Sequence, residues 1–201
     1  MLVKKRRIGK PMKLKKLCEN HYGQNIDLSL RGLTKLPSDL PKKINGEFLC
    51  HENLLTTLEW SPLEVGDDFD CSDNRLTSLE HCPKTVGGAF RCSGNELTSL
   101  EHCPAVVGYE FYCSGNRITL LKDVHKMITE IGGTFYCHRN PIKTHILGMM
   151  LIDIGKKIHT ELGDGTDVDF ILNKWKNQSR KGVLGCQRDL IEAGYEELAQ
   201  L

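Results

Sequence analysis

FRCSGNELTSL, at residues 90–100, is one of five copies of a single pattern that decides the fold of this chain. The other copies are FLCHENLLTTL at 48–58, FDCSDNRLTSL at 69–79, FYCSGNRITLL at 111–121 and the shorter FYCHRNPI at 135–142. Their phenylalanines are separated by 21, 21, 21 and 24 residues. A fixed period of this size predicts a solenoid, in which each copy forms one turn and stacks on the next.

Each repeated position has a structural role. Phe and Cys alternate, which predicts a short strand whose Phe and Cys side chains both point into the solenoid, while the leucines close the turn over the same core. The asparagine stands where the chain leaves the strand, and its amide is expected to satisfy backbone groups that the bend leaves unpaired. Glycine precedes each new strand and allows a tight return, at Gly66, Gly87, Gly108 and Gly132. Proline argues against a helix on the far side, at Pro62, Pro83 and Pro104.

A degenerate copy precedes these five, because Ile26 and Leu33 lie 22 residues before Phe48 and Leu55. The run LTKLPSDLP at 33–41 resembles the short leucine-rich repeats of secreted bacterial effectors. The form CSGNELTSLE at 92–101 is similar to the small leucine-rich repeat proteins of tailed bacteriophages. The resemblance covers residues 25–142 and implies an α/β-type repeat solenoid of about six leucine-rich turns, with mostly short parallel strands, irregular returns and a helical C-terminal cap. Such a resemblance says little about function.

Three regions follow from this pattern: a basic N-terminal arm and cap over 1–24, the leucine-rich repeat solenoid over 25–142 and the C-terminal helical cap over 143–201. The return before Phe135 is three residues longer than the others. It places Val124, Ile128 and Ile131 at helical spacing, which predicts a short helix there.

The C-terminal region is expected to close the end of the solenoid, because a bare end would expose apolar surface. The apolar run after Asn140 predicts one more irregular turn. Asp167–Trp175 is predicted to form a helix, and Ser179 is predicted to cap a second one. That second helix has one apolar face, formed by Val183, Cys186, Leu190 and Ile191.

Charge is unevenly distributed along the chain. Residues 1–24 hold eight basic side chains against Glu19, a net charge of +7, whereas the whole chain carries +1 and the remaining 177 residues therefore −6. No transmembrane run and no apolar signal segment is present, which predicts a cytoplasmic protein, in the bacterial host if it is phage-encoded. Nine cysteines are then expected to be free thiols. Five of them are interpreted as small buried hydrophobes: Cys50, Cys71, Cys92, Cys113 and Cys137.

The strand positions that point outward form the candidate binding site. The position between Phe and Cys changes at almost every copy and collects Tyr and Arg, which are enriched at interface hot spots. We expect a protein partner on the concave face, the usual docking surface of a curved solenoid. The residues expected to bind it are Leu49, Asp70, Arg91, Tyr112 and Tyr136, with His51 and His138 beside them. An ordinary solvated sheet face is the alternative. The phage resemblance implies that the partner is a host protein.

The basic arm supports an alternative function. Lys4, Lys5, Arg6 and Arg7 are expected to bind nucleic acid or a ribosome through phosphate charge. A solvated terminus is the simpler interpretation. Met12 as the true start would remove five of the eight basic residues.

The sequence predicts a non-enzymatic protein, without cofactors, that is a monomer on its own and does not bind a membrane. It contains no Gly-rich phosphate loop, HExxH or GxSxG motif. The spacing of Cys186 and Asp189 is one residue too long for the Cys-x-Asp motif of effector ubiquitin ligases.

No metal site is predicted. His81 and His102 each precede a cysteine, and two such pairs would supply a ligand set that zinc accepts. Neighbouring side chains point apart, however, which argues against that site. The segment 163–169 resembles a calcium loop only loosely, because it lacks the glutamate at the twelfth position.

Overall fold

The computed structural model describes residues 25–162 and 167–200, and it shows a solenoid of parallel strands that ends in helices. The first sheet has seven two-residue strands: β1 (Ile26–Asp27), β3 (Phe48–Leu49), β5 (Phe69–Asp70), β7 (Phe90–Arg91), β9 (Phe111–Tyr112), β11 (Phe135–Tyr136) and β13 (Ile158–His159). The second sheet has six: β2 (Lys43–Ile44), β4 (Glu64–Val65), β6 (Thr85–Val86), β8 (Val106–Val107), β10 (Glu130–Ile131) and β12 (Asp153–Ile154). The predicted solenoid of about six turns is confirmed, whereas the basic arm lies outside the described residues.

All strand pairs are parallel and in register. Phe48 pairs with Phe69, Phe69 with Phe90, and the same step continues to β13. Each position of the repeated pattern therefore forms a column that runs along the solenoid.

The returns are more regular than the sequence predicted. Pro62 does exclude a helix, but the two residues after Leu63 form β4 of the second sheet. In each of these strands one residue is buried and its neighbour is not, as with Val65 beside Glu64. A strand of two residues is too short for this alternation to be detected in the sequence.

Stacked phenylalanines form the centre of the core, as predicted. All five are fully buried, and successive ring centroids lie 5.6, 5.6, 5.0 and 5.3 Å apart, from Phe48 to Phe135. The five cysteines of the pattern are equally buried, and each lies two residues after its phenylalanine. Phe and Cys thus fill the interior from the first sheet, and the buried valines and isoleucines of the second sheet meet them.

The asparagine column satisfies the backbone where the chain turns, as predicted. Nδ2 of Asn74 donates hydrogen bonds to the carbonyl of Cys50 in the previous turn and to that of Cys71 in its own turn. Its Oδ1 accepts from the backbone N–H of Leu55 at 3.0 Å. Each asparagine therefore joins two turns through groups that would otherwise be buried without partners. The same bonds recur at Asn53, Asn95, Asn116 and Asn140.

The glycine column exists for a different reason from the one predicted. These residues do not need the left-handed conformation, which other residues adopt. A Cβ at Gly87 would instead collide with the backbone carbonyl of Gly66 in the turn before, and one at Gly108 with that of Gly87. Close approach of successive backbones, not a tight turn, is what excludes a side chain here.

Two short helices lie in the last turns of the solenoid. The predicted helix in the longer return is present as α1 (Val124–Met127), and Val124, Ile128 and Ile131 are all fully buried. The turn predicted after Asn140 contains a 3-10 helix, Ile146–Leu151, and then continues both sheets through β12 and β13.

Two helices follow, as the sequence predicted: α2 (Asp167–Trp175) and α3 (Ser179–Glu192). Helix α3 packs against α2 and the 3-10 helix. The predicted cap was wrong by one residue, because Gln178 occupies the N-cap and makes no side-chain cap bond, while Ser179 is the first helical residue. Along the described ranges, no helix has the length and apolar character needed to cross a bilayer.

The buried face of α3 also differs from the prediction. Ile191 is 46% exposed, while Gly182 and Gly185 are buried. Gly185 is buried because the ring of Trp175 lies directly on it, only 2.6 Å from where a Cβ would be. Glycine has no hydrophobic side chain, so the pattern of apolar residues did not indicate that this position is buried. It placed Ile191 on the buried face instead.

Candidate functional site

The candidate site is the row of outward side chains on the first sheet, which we call the outward column. It consists of the second residue of each strand: Asp27, Leu49, Asp70, Arg91, Tyr112, Tyr136 and His159. All five residues predicted between Phe and Cys are adjacent in it. The sequence analysis did not include Asp27, which lies in the degenerate first copy, and it missed His159 because in β13 Ile158 replaces Phe and Thr160 replaces Cys.

At the N-terminal part of the column the polar groups are paired within the protein. Asp70 lies between His51 and Arg91: its Oδ2 is 3.6 Å from Nδ1 of His51, and its Oδ1 accepts from the backbone N–H of Ser72. Nδ1 of His51 is buried and makes no hydrogen bond to any of the described residues. Leu49 is half-buried on the neighbouring strand.

Arg91 is held in place from two sides. Its Nη1 donates to Oδ2 of Asp68, and Oδ1 of Asp68 accepts from the backbone N–H of Ala89. Burial alone would lower the pKa of Arg91, but the hydrogen bond and the charge of Asp68 outweigh it and raise that pKa. Its guanidinium carbon lies 5.4 Å from the ring centroid of Tyr112, within cation–π distance.

The aromatic part of the column is one continuous stack. The rings of Tyr112 and Tyr136 are parallel, with centroids 4.7 Å apart, and Tyr136 meets the ring of His159 edge-on at 5.8 Å. Burial, the charge of Glu110 and the neighbouring Tyr136 raise the pKa of Tyr112, so its phenol remains protonated at neutral pH. Arg91, Tyr112, Tyr136 and His159 therefore form a continuous strip of contacting side chains, which we call the aromatic strip.

Two histidines meet at the C-terminal end of this strip. The rings of His138 and His159 have centroids 5.4 Å apart. Nδ1 of His138 lies 3.0 Å from Oγ of Ser114, and Nδ1 of His159 lies 2.9 Å from Oδ2 of Asp169 in α2. The sequence predicted His138 as a binding residue, but not this pairing, since Asp169 reaches the strip only after α2 folds back onto β13.

A cleft of about 500 Å³ lies beside this end of the strip. Tyr136 and His159 line one side, and Asp169, Phe170 and Asn173 of α2 line the other. Phe170 is 71% exposed. The cleft therefore combines an aromatic wall with polar groups.

The eight cysteines of the described residues are all buried and free. Burial raises the pKa of the pattern cysteines such as Cys92 well above the usual value, so they are uncharged thiols. Cys186 is the cysteine considered as a nucleophile, and burial together with Asp189 raises its pKa to about 12. A thiol in that state is a poor nucleophile.

Within residues 25–162 and 167–200, the remaining sequence candidates do not converge on a site. His81 is exposed next to Glu80, while Cys82 is buried, so this pair does not present two ligands to one point. Asp169, from the loose calcium motif, bonds instead to Thr160 and His159. The basic residues Lys4, Lys5, Arg6 and Arg7 lie outside the described residues.

Comparisons of this chain with protein-family models, with curated proteins and with solved structures found no match. The structure shows the fold, which is a solenoid of parallel strands with about six turns and a C-terminal helical region. The chemistry of the outward side chains therefore carries the functional assignment.

Proposed function

We propose that the chain is a non-enzymatic, leucine-rich-repeat protein-binding module, which docks a folded protein on the outward face of the first sheet. The aromatic strip is the observation that carries this proposal. Arg and Tyr are the residue types most enriched at interface hot spots, and here three of them stack in adjacent strands.

The strip is organised before any partner arrives. Asp68 fixes Arg91, and the parallel stacking of Tyr112 on Tyr136 restricts both rings. A side chain that is already ordered loses little entropy on binding, which saves about 0.5–1.5 kcal/mol for each rotamer-rich residue. Because Arg91 is neutralised by Asp68, we expect aromatic and apolar contact, not charge, to supply most of the affinity.

The resemblance of the repeats to those of tailed-bacteriophage proteins supports a biological setting. In that setting the partner is a host protein in the bacterial cytoplasm, and binding modulates its activity. The leucine-rich character of the repeats supports the same proposal, because such solenoids commonly present extended binding surfaces.

Affinity purification tests the proposal. The tagged chain is used to capture proteins from bacterial cytoplasm at low salt and at about 0.5 M salt, where exposed charge pairs are strongly screened. We expect one stoichiometric protein that survives high salt and is lost with the double variant Arg91→Ala/Tyr112→Ala, whose circular dichroism spectrum is unchanged. Tyr109→Ala is the matched control, because Tyr109 is 59% exposed but lies outside the strip. Retained binding by the double variant would place the interface elsewhere.

The basic arm carries the second candidate, association with nucleic acid or a ribosome, because residues 1–24 concentrate a charge of +7 against −6 in the rest. This function predicts binding that falls steeply with salt and disappears when residues 1–11 are deleted. Binding that is independent of salt, or that persists in the deletion variant, would contradict it.

A further inference from the structure

A group of three potential metal ligands lies at the C-terminal end of the aromatic strip. His138, His159 and Glu161 each offer one ligand atom, and these atoms all lie within 4.8 Å of one another. We propose that these residues bind a divalent transition-metal ion, with Zn²⁺ as the ion that suits them best. This site shares His159 with the aromatic strip, but metal binding does not depend on the protein-docking function.

The two imidazoles are already oriented for this role. Nδ1 of His138 is hydrogen-bonded to Ser114, and Nδ1 of His159 is hydrogen-bonded to the carboxylate of Asp169. Each ring therefore has its Nε2 atom left to bind a metal. A carboxylate on the far nitrogen of a metal-binding histidine fixes its tautomer and makes it a better ligand.

The partners of these histidines are themselves held firmly. Ser114 is only 8% exposed. The side chain of Asp169 is 14% exposed, and its Oδ1 also accepts from the backbone N–H of Thr160 at 2.8 Å. The rings are thus supported by buried or nearly buried groups from two turns of the solenoid and from α2.

Glu161 completes the group from the other side. Its Oε1 lies 3.8 Å from Nε2 of His159, which is too long for a hydrogen bond. Glu161 also adopts a left-handed conformation, with φ of 56°, one residue earlier in its turn than Arg139 does in the turn before. Because the chain leaves β13 one residue early, the carboxylate of Glu161 lies beside the imidazole of His159.

The donor set selects the class of ion. Two imidazoles and one carboxylate suit Zn²⁺ and neighbouring transition ions, whereas Ca²⁺ and Mg²⁺ prefer oxygen ligands alone. Metal–ligand bonds of about 2.0–2.1 Å place tetrahedral ligands about 3.4 Å apart, whereas the three ligand atoms here lie within 4.8 Å of one another, so small side-chain rotations close the site. With three protein ligands, the fourth position is open to water.

Titration of the full chain with Zn²⁺ and with Co²⁺ tests this site. We expect one ion per chain, a dissociation constant of about 1 μM or lower, and a higher unfolding temperature with Zn²⁺ present. Bound Co²⁺ should show visible absorption bands of nitrogen and oxygen ligands, without the charge-transfer band of a cobalt–sulfur bond. Affinity should fall about tenfold or more in Glu161→Gln and in His138→Ala.

His102→Ala is the matched control, since His102 is an exposed histidine with Glu101 only 4.0 Å away, and no third potential ligand joins this pair among the described residues. It should bind Zn²⁺ like the unmodified chain. Equal affinity in all three variants, a cobalt–sulfur band, or no binding at micromolar Zn²⁺ by the unmodified, correctly folded chain would overturn the proposal.

Discussion

Oδ1 of Asn95 accepts a hydrogen bond from the backbone N–H of Leu76, 19 residues earlier in the chain, at 3.0 Å. The Nδ2 atom of the same side chain donates to the carbonyls of Cys71 and Cys92, which lie in consecutive turns. One side chain thus couples two turns of the solenoid at a buried point. Repetition of this arrangement along the chain makes the stack of turns cooperative.

Replacing Asn95 by Ala is expected to lower the free energy of unfolding by about 2–4 kcal/mol, because a buried N–H and buried carbonyls lose their partners. Urea denaturation of the purified variant measures this change. The control is Thr98→Ala, an exposed position of the same turn that should change stability by about 0.5 kcal/mol or less. Equal stabilities for the two variants would show that the asparagine column does not join the turns.

Gly87→Ala is expected to destabilise the chain by at least about 3 kcal/mol, because the new methyl group collides with the carbonyl of Gly66 and the stacked backbones must separate. The matched variant is Gly115→Asp. Gly115 has φ of 64°, a Cβ there would meet no atom closer than 3.7 Å, and the residue occupies the position that Asp73 fills two repeats earlier at φ 52°. Thermal unfolding of both proteins should show a large loss only for Gly87→Ala. A mild effect there would mean that the turns are less tightly stacked.

The buried cysteines are expected to resist thiol reagents until the chain unfolds. The five cysteines of the repeated pattern are each 0% exposed, so a thiol reagent cannot reach them. Burial also raises their pKa values, so little of the reactive thiolate forms. These residues are Cys50, Cys71, Cys92, Cys113 and Cys137. Labelling with and without denaturant, followed by mass spectrometry of peptides, measures the difference. Fast labelling of any of the five in the native protein would be inconsistent with the inward position of the cysteine column.

The helical cap is expected to weaken in acid through Asp189. Hydrogen bonds from Lys174 and Trp175 lower the pKa of Asp189 from its ordinary value of 3.8 to about 2 in the folded chain. The ionised form is therefore favoured by folding, and its contribution to stability is present above pH 3.8 and is lost as the pH falls toward 2.

Unfolding temperatures measured against pH test this effect in Asp189→Asn. The variant should be less stable than the unmodified chain at neutral pH, and the difference should shrink as the pH falls from about 4 to about 2. Asp153→Asn, at an exposed position of β12, is the control and should show no such convergence. A constant difference at all pH values would mean that the cost arises from packing around Trp175 and not from the charge of Asp189.

Much of the fold was predictable from residues that repeat. Phe90 and its equivalents mark the strands, and Asn95 and its equivalents mark the bends, because the same packing and hydrogen-bonding problem recurs in every turn. The second sheet was not predictable, since a strand such as Thr85–Val86 is too short to show alternation. The role of Gly87 was misread for a related reason: a glycine needed for close approach looks the same in sequence as one needed for a turn.

The candidate site was also predictable only in part. The outward positions of Arg91, Tyr112 and Tyr136 followed from the repeat, because a side chain between two inward residues must point outward. The grouping of His138 with His159 and Glu161 did not, since β13 departs from the pattern and Asp169 belongs to a different element.

The sequence by itself determined the period, the inward column of Phe and Cys, and the outward column, because all three depend on local alternation repeated at a constant interval. Only the tertiary structure decided which outward side chains stack, which charges are neutralised and where helix α2 meets the last strand. Those relationships join residues from different turns and from the helical cap. They depend on backbone spacing and helix packing, which no single stretch of sequence contains.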